Sequence, residues 1–212
     1  GLIFGRDSEL MHHPSVEEAG VPRVYIGSHP DPRGIPAVYP DTHLFIEKAL
    51  NRLASAGCRR VAVLTVPDYA EYFGDCRRLA GERSMLTEPG WVQPITPEHP
   101  AGARSWVRLL MSLPEDRRPD GLIITDDNLA ASATAGLFQS GIKGREDCHT
   151  ICLANYPCAP RCIIDVEYLG CSAGNVLTAA LDAIDGLRTG ESVPPVTYIE
   201  PDFKGTRSRH NR

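Results

Sequence analysis

Asp126, Asp127 and Asn128 follow directly on the apolar run Gly121-Leu122-Ile123-Ile124-Thr125. Adjacent carboxylates at such a place admit three chemistries. They can cap the next helix and complement its dipole. They can hold Mg²⁺ for phosphoryl transfer, but that wants a third acid and a lysine at neighbouring strand ends, and no such set stands out. They can also accept hydrogen bonds from a neutral polar ligand. Capping is a sufficient account of either acid, and the plainer one for Asp127. Asn155 holds the same kind of place after the run His149 to Ala154, where it can contact a ligand or shape the Asn-Tyr-Pro turn. Tyr69 and Phe73 come after a strand ending at Val66 and can stack on a sugar or base, or cover the core. Arg77 and Arg78 lie a turn further on; one can reach a ligand, though arginine on a helix face is usually solvated. His43 in a first helical turn and the pair His12-His13 read as surface residues.

Other chemistries find less support. There is no GxxxxGK[ST] loop, no GxGxxG after a strand and no GxSxG elbow. Nucleotide enzymes and serine hydrolases are weakened accordingly, and neither a catalytic set nor a cofactor is expected. The cysteine count is odd, at seven, and the residues are scattered, which fits a reducing compartment better than a disulfide framework. Cys148-x3-Cys152 and Cys158-x3-Cys162 invite a zinc reading, but structural zinc spacings are tighter or paired with histidine. Cys152 sits in an apolar run where a buried thiol is common. No metal site is expected.

These residues need elements to position them. The 212 residues are 42% hydrophobic and 23% charged, the make-up of a soluble globular chain of one large or two small domains. The net charge of −5 signals no nucleic-acid surface in the body of the chain. The basic tail of Lys204, Arg207, Arg209, His210 and Arg212 reads as a frayed terminus or a phosphate-binding arm. No apolar run nears the roughly 18 residues that span a bilayer, and no signal peptide opens the chain, so no membrane partner is expected. The first residues, Leu2-Ile3-Phe4, already read as a strand.

Further strands are predicted at 23–27, 37–39, 60–66, 91–95, 121–125, 149–154, 163–164 and 196–199. Helices are predicted at 14–19, 41–56, 72–85, 103–113, from Leu129 to Gly141, and 169–187. Arg60 to Val66 is nearly continuous apolar chain, as suits a parallel strand covered on both faces. The alternation β-α-β-α argues an α/β fold with mostly parallel sheet. In such sheets ligands bind beyond the carboxyl ends of the strands, where Asp126 and Asn155 stand.

Two stretches resemble a known family in order and spacing. VPRVYIGSHPDPRGIPAVYPDTHLFIEKALNRLASAGCRRVAVLTVP is similar to the middle of the effector domain of lactose/galactose-repressor (LacI/GalR) regulators. PDGLIITDDNLAASATAGLFQSGIKGREDCHTICLANY resembles that family's strand, Asn-Asp turn, small-residue helix, acidic loop and following strand. The segment Ile164-Asp165 to Leu169-Gly170 and the helix after it also fit, so the likeness covers nearly the whole chain.

The resemblance implies a type I periplasmic-binding-protein-like fold of two Rossmann-like lobes closing on a small ligand. One lobe would hold 1–57 plus 163–187, and the other 58–162 plus 188–212. It implies ligand contacts at Asp126, Asn155, the segment Tyr69 to Arg77 with Phe73, the helix start around His43, and Arg6. It also implies a cytoplasmic sensor of a small effector, a sugar by family habit, that is a homodimer and no enzyme. The departures are specific. The family's arginine position falls on Cys76, one place before Arg77, and its Gly-Phe/Tyr-Asp turn is here Leu153-Ala154-Asn155. The first lobe lacks the opening β-α-β-α units and the helix-turn-helix head, so DNA would be reached only through a head absent from this chain. An extracytoplasmic sugar receptor with the same fold is the alternative.

Overall fold

The computed structural model describes residues 1–5, 9–17, 20–27, 34–67 and 74–203. The elements begin with β1 (Leu2–Gly5), α1 (Pro14–Glu17), β2 (Arg23–Ile26), β3 (Ala37–Pro40) and α2 (Thr42–Ser55). Next are β4 (Val61–Thr65), α3 (Cys76–Glu82), β5 (Val92–Pro94), α4 (Ala101–Met111), β6 (Gly121–Ile124) and α5 (Asp127–Gln139). The chain continues through β7 (His149–Tyr156), β8 (Glu167–Ser172), α6 (Ala173–Thr189), β9 (Val196–Ile199) and β10 (Asp202–Phe203). The architecture is α/β with mostly parallel sheet, as the alternating pattern predicts.

Two compact units divide the chain. The first spans Gly1–Asp41 and Cys171–Pro201. Its parallel sheet has the order β1-β2-β3-β9, and α6 packs Ala180, Ala183 and Ile184 on Val24 and Val38. The second unit spans Thr42–Gly170, with residues 202 and 203 returning to it. Its sheet has the order β10-β8-β7-β6-β4-β5. Strands β5, β4, β6 and β7 run parallel, and β10 runs antiparallel to β8.

The two faces of this larger sheet explain its sequence. Val61, Val63, Ile123 and Ile151 pack with Phe45, Ile46, Leu50 and Leu53 of α2. The alternate residues Ala62, Leu64, Leu122, Ile124 and Cys152 pack with Val107 of α4 and Leu129, Ala133 and Leu137 of α5. A strand with helices on both faces must be apolar throughout, and β4 is buried at all five positions. Each fully buried Leu, Ile or Val there contributes about 1.5–3 kcal/mol. Edge strand β5 tolerates Pro94 because an edge does not require every backbone donor.

Three sequence expectations need correction. The predicted helix at 169–187 starts too early, since Leu169 to Ser172 belong to β8. Ser172 has extended backbone (φ −76°, ψ 122°) and its side chain accepts from the Asn175 N–H, so it caps α6 at Ala173. Gly170 suits the strand: a Cβ there would lie 1.8 Å from the Ala154 carbonyl oxygen of β7. Second, Ile163-Ile164 form a bend rather than a strand, while Asn155 and Tyr156 extend β7. Third, the lobe boundaries differ from 1–57 plus 163–187 and 58–162 plus 188–212. The amphipathic helix α2 buries its stripe in the second unit, and β9 pairs with β3 in the first.

Glu167 of β8 ties several of these elements together. Its carboxylate accepts from Arg52 Nε of α2 at 2.7 Å and from Arg145 Nη1 at 3.2 Å, and it meets His149 Nε2 of β7 at 3.0 Å. The Arg52 hydrogen bond, opposed by burial and assisted by His149, pulls its pKa from 4.5 to about 2. A carboxylate with a depressed folded pKa gives its full stabilisation above 4.5 and loses it as pH falls towards about 2. Glu167→Gln is expected to lower the urea midpoint at neutral pH and to flatten its fall across that acid window. Urea titrations of both proteins across the window check this; parallel curves would deny Glu167 the role.

Candidate functional site

The buried strands of the second unit carry their polar groups at their carboxyl ends. Thr65 closes β4 and Thr125 follows β6; both are buried, and the Thr125 hydroxyl donates to Thr65 Oγ1 at 2.9 Å. Neither threonine was singled out by the sequence pattern, although each closes an apolar run at the same sheet edge.

Asp126 comes next with extended backbone (φ −140°, ψ 129°) and is the N-cap of α5. Its Oδ1 accepts from the Asn128 N–H at 2.9 Å and from Asn128 Nδ2 at 3.0 Å. Asp127 opens the helix. Its Oδ1 accepts from Asn128 Nδ2 at 3.3 Å, and its Oδ2 accepts from Asn155 Nδ2 at 2.9 Å. The parallel pairing of β6 and β7 brings the two strand ends side by side and so places Asn155 against Asp127. The structure thus joins Asn155 to Asp127, where the resemblance emphasised Asp126. Asn128 links both acids and was named in the sequence only as their neighbour.

Chemically this is a half-exposed cluster of two carboxylates and two amides at a helix N-terminus. The helix dipole offsets part of the repulsion between the acids. The carboxylates are acceptors only, and each amide offers both donors and an acceptor. Such a group suits a ligand rich in hydroxyl donors and repels phosphates and carboxylates. Among the described residues no cluster of three or more His, Cys, Asp or Glu side chains is arranged to hold a metal.

The remaining expected contacts are dispersed. His43 is exposed in the first turn of α2, and Arg77 is exposed in the first turn of α3. Arg6, Tyr69 and Phe73 lie outside the described residues. Cys76, where the family's arginine would fall, is buried; burial, with Asp75 second, pushes its thiol up to about 12. No basic group occupies that position. An open groove of about 530 Å³ lies elsewhere, between the carboxyl-terminal halves of α4 and α5, lined by Arg108, Leu109, Gln139 and Ser140 among others. Gln139 ends the helix that Asp127 begins, roughly 18 Å along its axis, so the groove is separate from the acid–amide cluster.

The cap makes a prediction about Asp126. Asp126→Ala is expected to cost about 0.5–2 kcal/mol of stability, whereas Asp126→Asn, which keeps a capping oxygen, costs only tenths. Chemical denaturation of the two variants checks this. Equal losses would mean that charge rather than capping dominates.

No family model matches the sequence, and no curated protein matches it. Solved structures do resemble it. A LacI-family regulatory protein from Chloroflexus aggregans superposes with a TM-score of 0.73 at 17% identity, over 95% of this chain and 73% of that one. A LacI-family transcriptional regulator from Lactobacillus casei, solved with bound glucose, gives 0.69 at 17% identity over 96% and 76%. The transcriptional regulator CelR, in complex with cellobiose, gives 0.73 at 21% identity over 96% and 64%. The chain therefore has the type I periplasmic-binding-protein-like fold found in LacI-family transcriptional regulators.

Proposed function

We propose that this chain is the ligand-sensing part of a bacterial transcriptional regulator of the LacI type, and that its effector is a small polar molecule, a sugar. The observation that carries the reading is the hydrogen bond from Asn155 to Asp127. It gathers acceptor-rich polar groups at the carboxyl edge of a parallel sheet, where ligands of open α/β folds bind. Solved proteins of this fold hold glucose and cellobiose, which are ligands of the hydroxyl-rich class that this cluster suits.

In this reading Asp127 and Asn155 accept from and donate to sugar hydroxyls, and Asp126 holds the helix start in place. Tyr69 and Phe73 supply a stacking face, and Arg77, His43 and Arg6 further polar contacts. The protein acts by binding and performs no chemistry. It works in the cytoplasm as a homodimer and meets DNA through a head that this chain does not include. Effector binding and operator binding would be coupled reciprocally, each altering the other by the same factor. The seven free thiols favour this over an extracytoplasmic sugar receptor, since such a count sits more easily in a reducing compartment.

Calorimetry against a panel of mono- and disaccharides tests the proposal. At least one sugar is expected to bind with saturable heat. Asn155→Ala and Asp127→Ala should each weaken it about tenfold or more, the loss expected for a hydrogen bond involving a charged group. If no sugar or nucleoside binds, or if both variants change stability but not affinity, the sensor reading fails.

A further inference from the structure

Two thiols meet in the second unit. Cys152, the fourth residue of β7, is fully buried, and Cys162 lies partly exposed in the irregular segment between β7 and β8. Their side chains hydrogen-bond to each other. Two hydroxyls also hydrogen-bond to Cys162, and both hold the segment around it. Tyr168 donates to the Pro160 carbonyl at 2.9 Å, and Thr134 Oγ1 accepts from the Ile163 N–H at 3.1 Å. The chain is thus pinned on both sides of Cys162, with its sulfur directed at Cys152.

The pair is also chemically asymmetric. The hydrogen bond from Cys152 outweighs burial and holds Cys162 down to about 7. The same bond, then burial and the charge of Cys162, with Asp127 and Asp126 behind, push Cys152 well up. Cys162 therefore ionises first, and Cys152 keeps its proton as the donor. A partly exposed thiolate is the form that oxidants attack.

We propose that Cys152 and Cys162 form a redox site, at which a hydroperoxide converts the two thiols into an intramolecular disulfide. The Cys162 thiolate attacks the outer peroxide oxygen, the O–O bond breaks, and the departing oxygen takes a proton to leave as alcohol or water. Cys162 is then a sulfenic acid. Cys152 sulfur attacks the Cys162 sulfur, the S–S bond forms as the S–O bond breaks, and the hydroxyl leaves as water with the Cys152 proton. Two electrons pass from the dithiol to the peroxide. A thiol reductant reverses the bond by exchange. Cys162 lies in an irregular segment that can adjust to the shorter sulfur separation, whereas Cys152 is fixed in the sheet opposite Ile124. The site stands independently of any ligand. Its consequence is that the segment becomes anchored to β7 three residues before Asn155.

The test uses the full chain, reduced and then treated with hydrogen peroxide, followed by peptide mapping without reductant. The expected product is a cross-linked peptide pair containing Cys152 and Cys162, lighter by two hydrogens and restored by dithiothreitol. Two of the seven thiols are lost to titration. Cys158→Ser, at an exposed position, should leave the cross-link intact. Cys152→Ser should stop the reaction at a sulfenic acid on Cys162 that dimedone traps. A disulfide between Cys158 and Cys162, oxidation confined to Cys158, or seven thiols surviving in the unmutated chain would each overturn the proposal.

Discussion

Strands β4, β6 and β7 of the larger sheet carry helices on both faces, and that single constraint governs where polar groups can stand. A strand buried on both sides satisfies its backbone through its neighbours and has no room for an uncompensated polar side chain along its length. Polarity is therefore displaced to the strand ends. At the carboxyl ends of β4 and β6 the first polar groups, Thr65 and Thr125, satisfy one another within the core. One step further out Asp126 turns the chain into α5 and caps it. One step beyond that, Asp127 meets Asn155 from the neighbouring strand. The candidate site is the outermost layer of this progression from buried to exposed hydrogen bonding.

The same sheet sets the roles of the acids. Capping needs a carboxylate on extended backbone just before the first helical residue, and only Asp126 has that geometry. Asp127 is one residue later, already helical, and its side chain points across to β7 rather than back along the helix. One acid fixes the helix start, which leaves the other to recognise something. At the far side of the sheet Glu167 does a different task, pairing with cations from α2 and β7 to hold β8 in register with its neighbours.

Much of this was legible in the sequence, for a physical reason. The continuous apolar runs at 61–65, 121–124 and 149–154 can only be covered strands. The stripe of α2, with Gly57 after it, can only be an amphipathic helix; Gly57 has φ of 87°, a conformation that suits glycine. Less was legible where neighbouring elements share a composition. Leu169-Gly170-Cys171 runs into α6 without a break in hydropathy, and only Ser172, a good N-cap, marked the boundary. Leu177 and Leu181 fit an inward helical stripe yet are half exposed on α6. The partner sheet of α2 and of β9 depends on which unit the chain enters next, which local pattern does not encode. In the site, Asp126 and Asp127 are chemically alike and adjacent. A one-residue shift in backbone geometry, invisible to composition, decides which of them caps.

The Asp126–Asn128 turn and Asn155 together make the proposed sugar-binding edge. Amide chemical-shift mapping of the ¹⁵N-labelled chain, titrated with glucose and with cellobiose, reads that edge residue by residue. One of the two sugars is expected to move the backbone amides of Asp126, Asp127, Asn128 and Asn155 in a saturable way. Those of Leu109 and Ser140, at the groove between α4 and α5, should stay in place. Saturable shifts confined to that groove, or none at the strand-end amides, would contradict a sugar site at this edge.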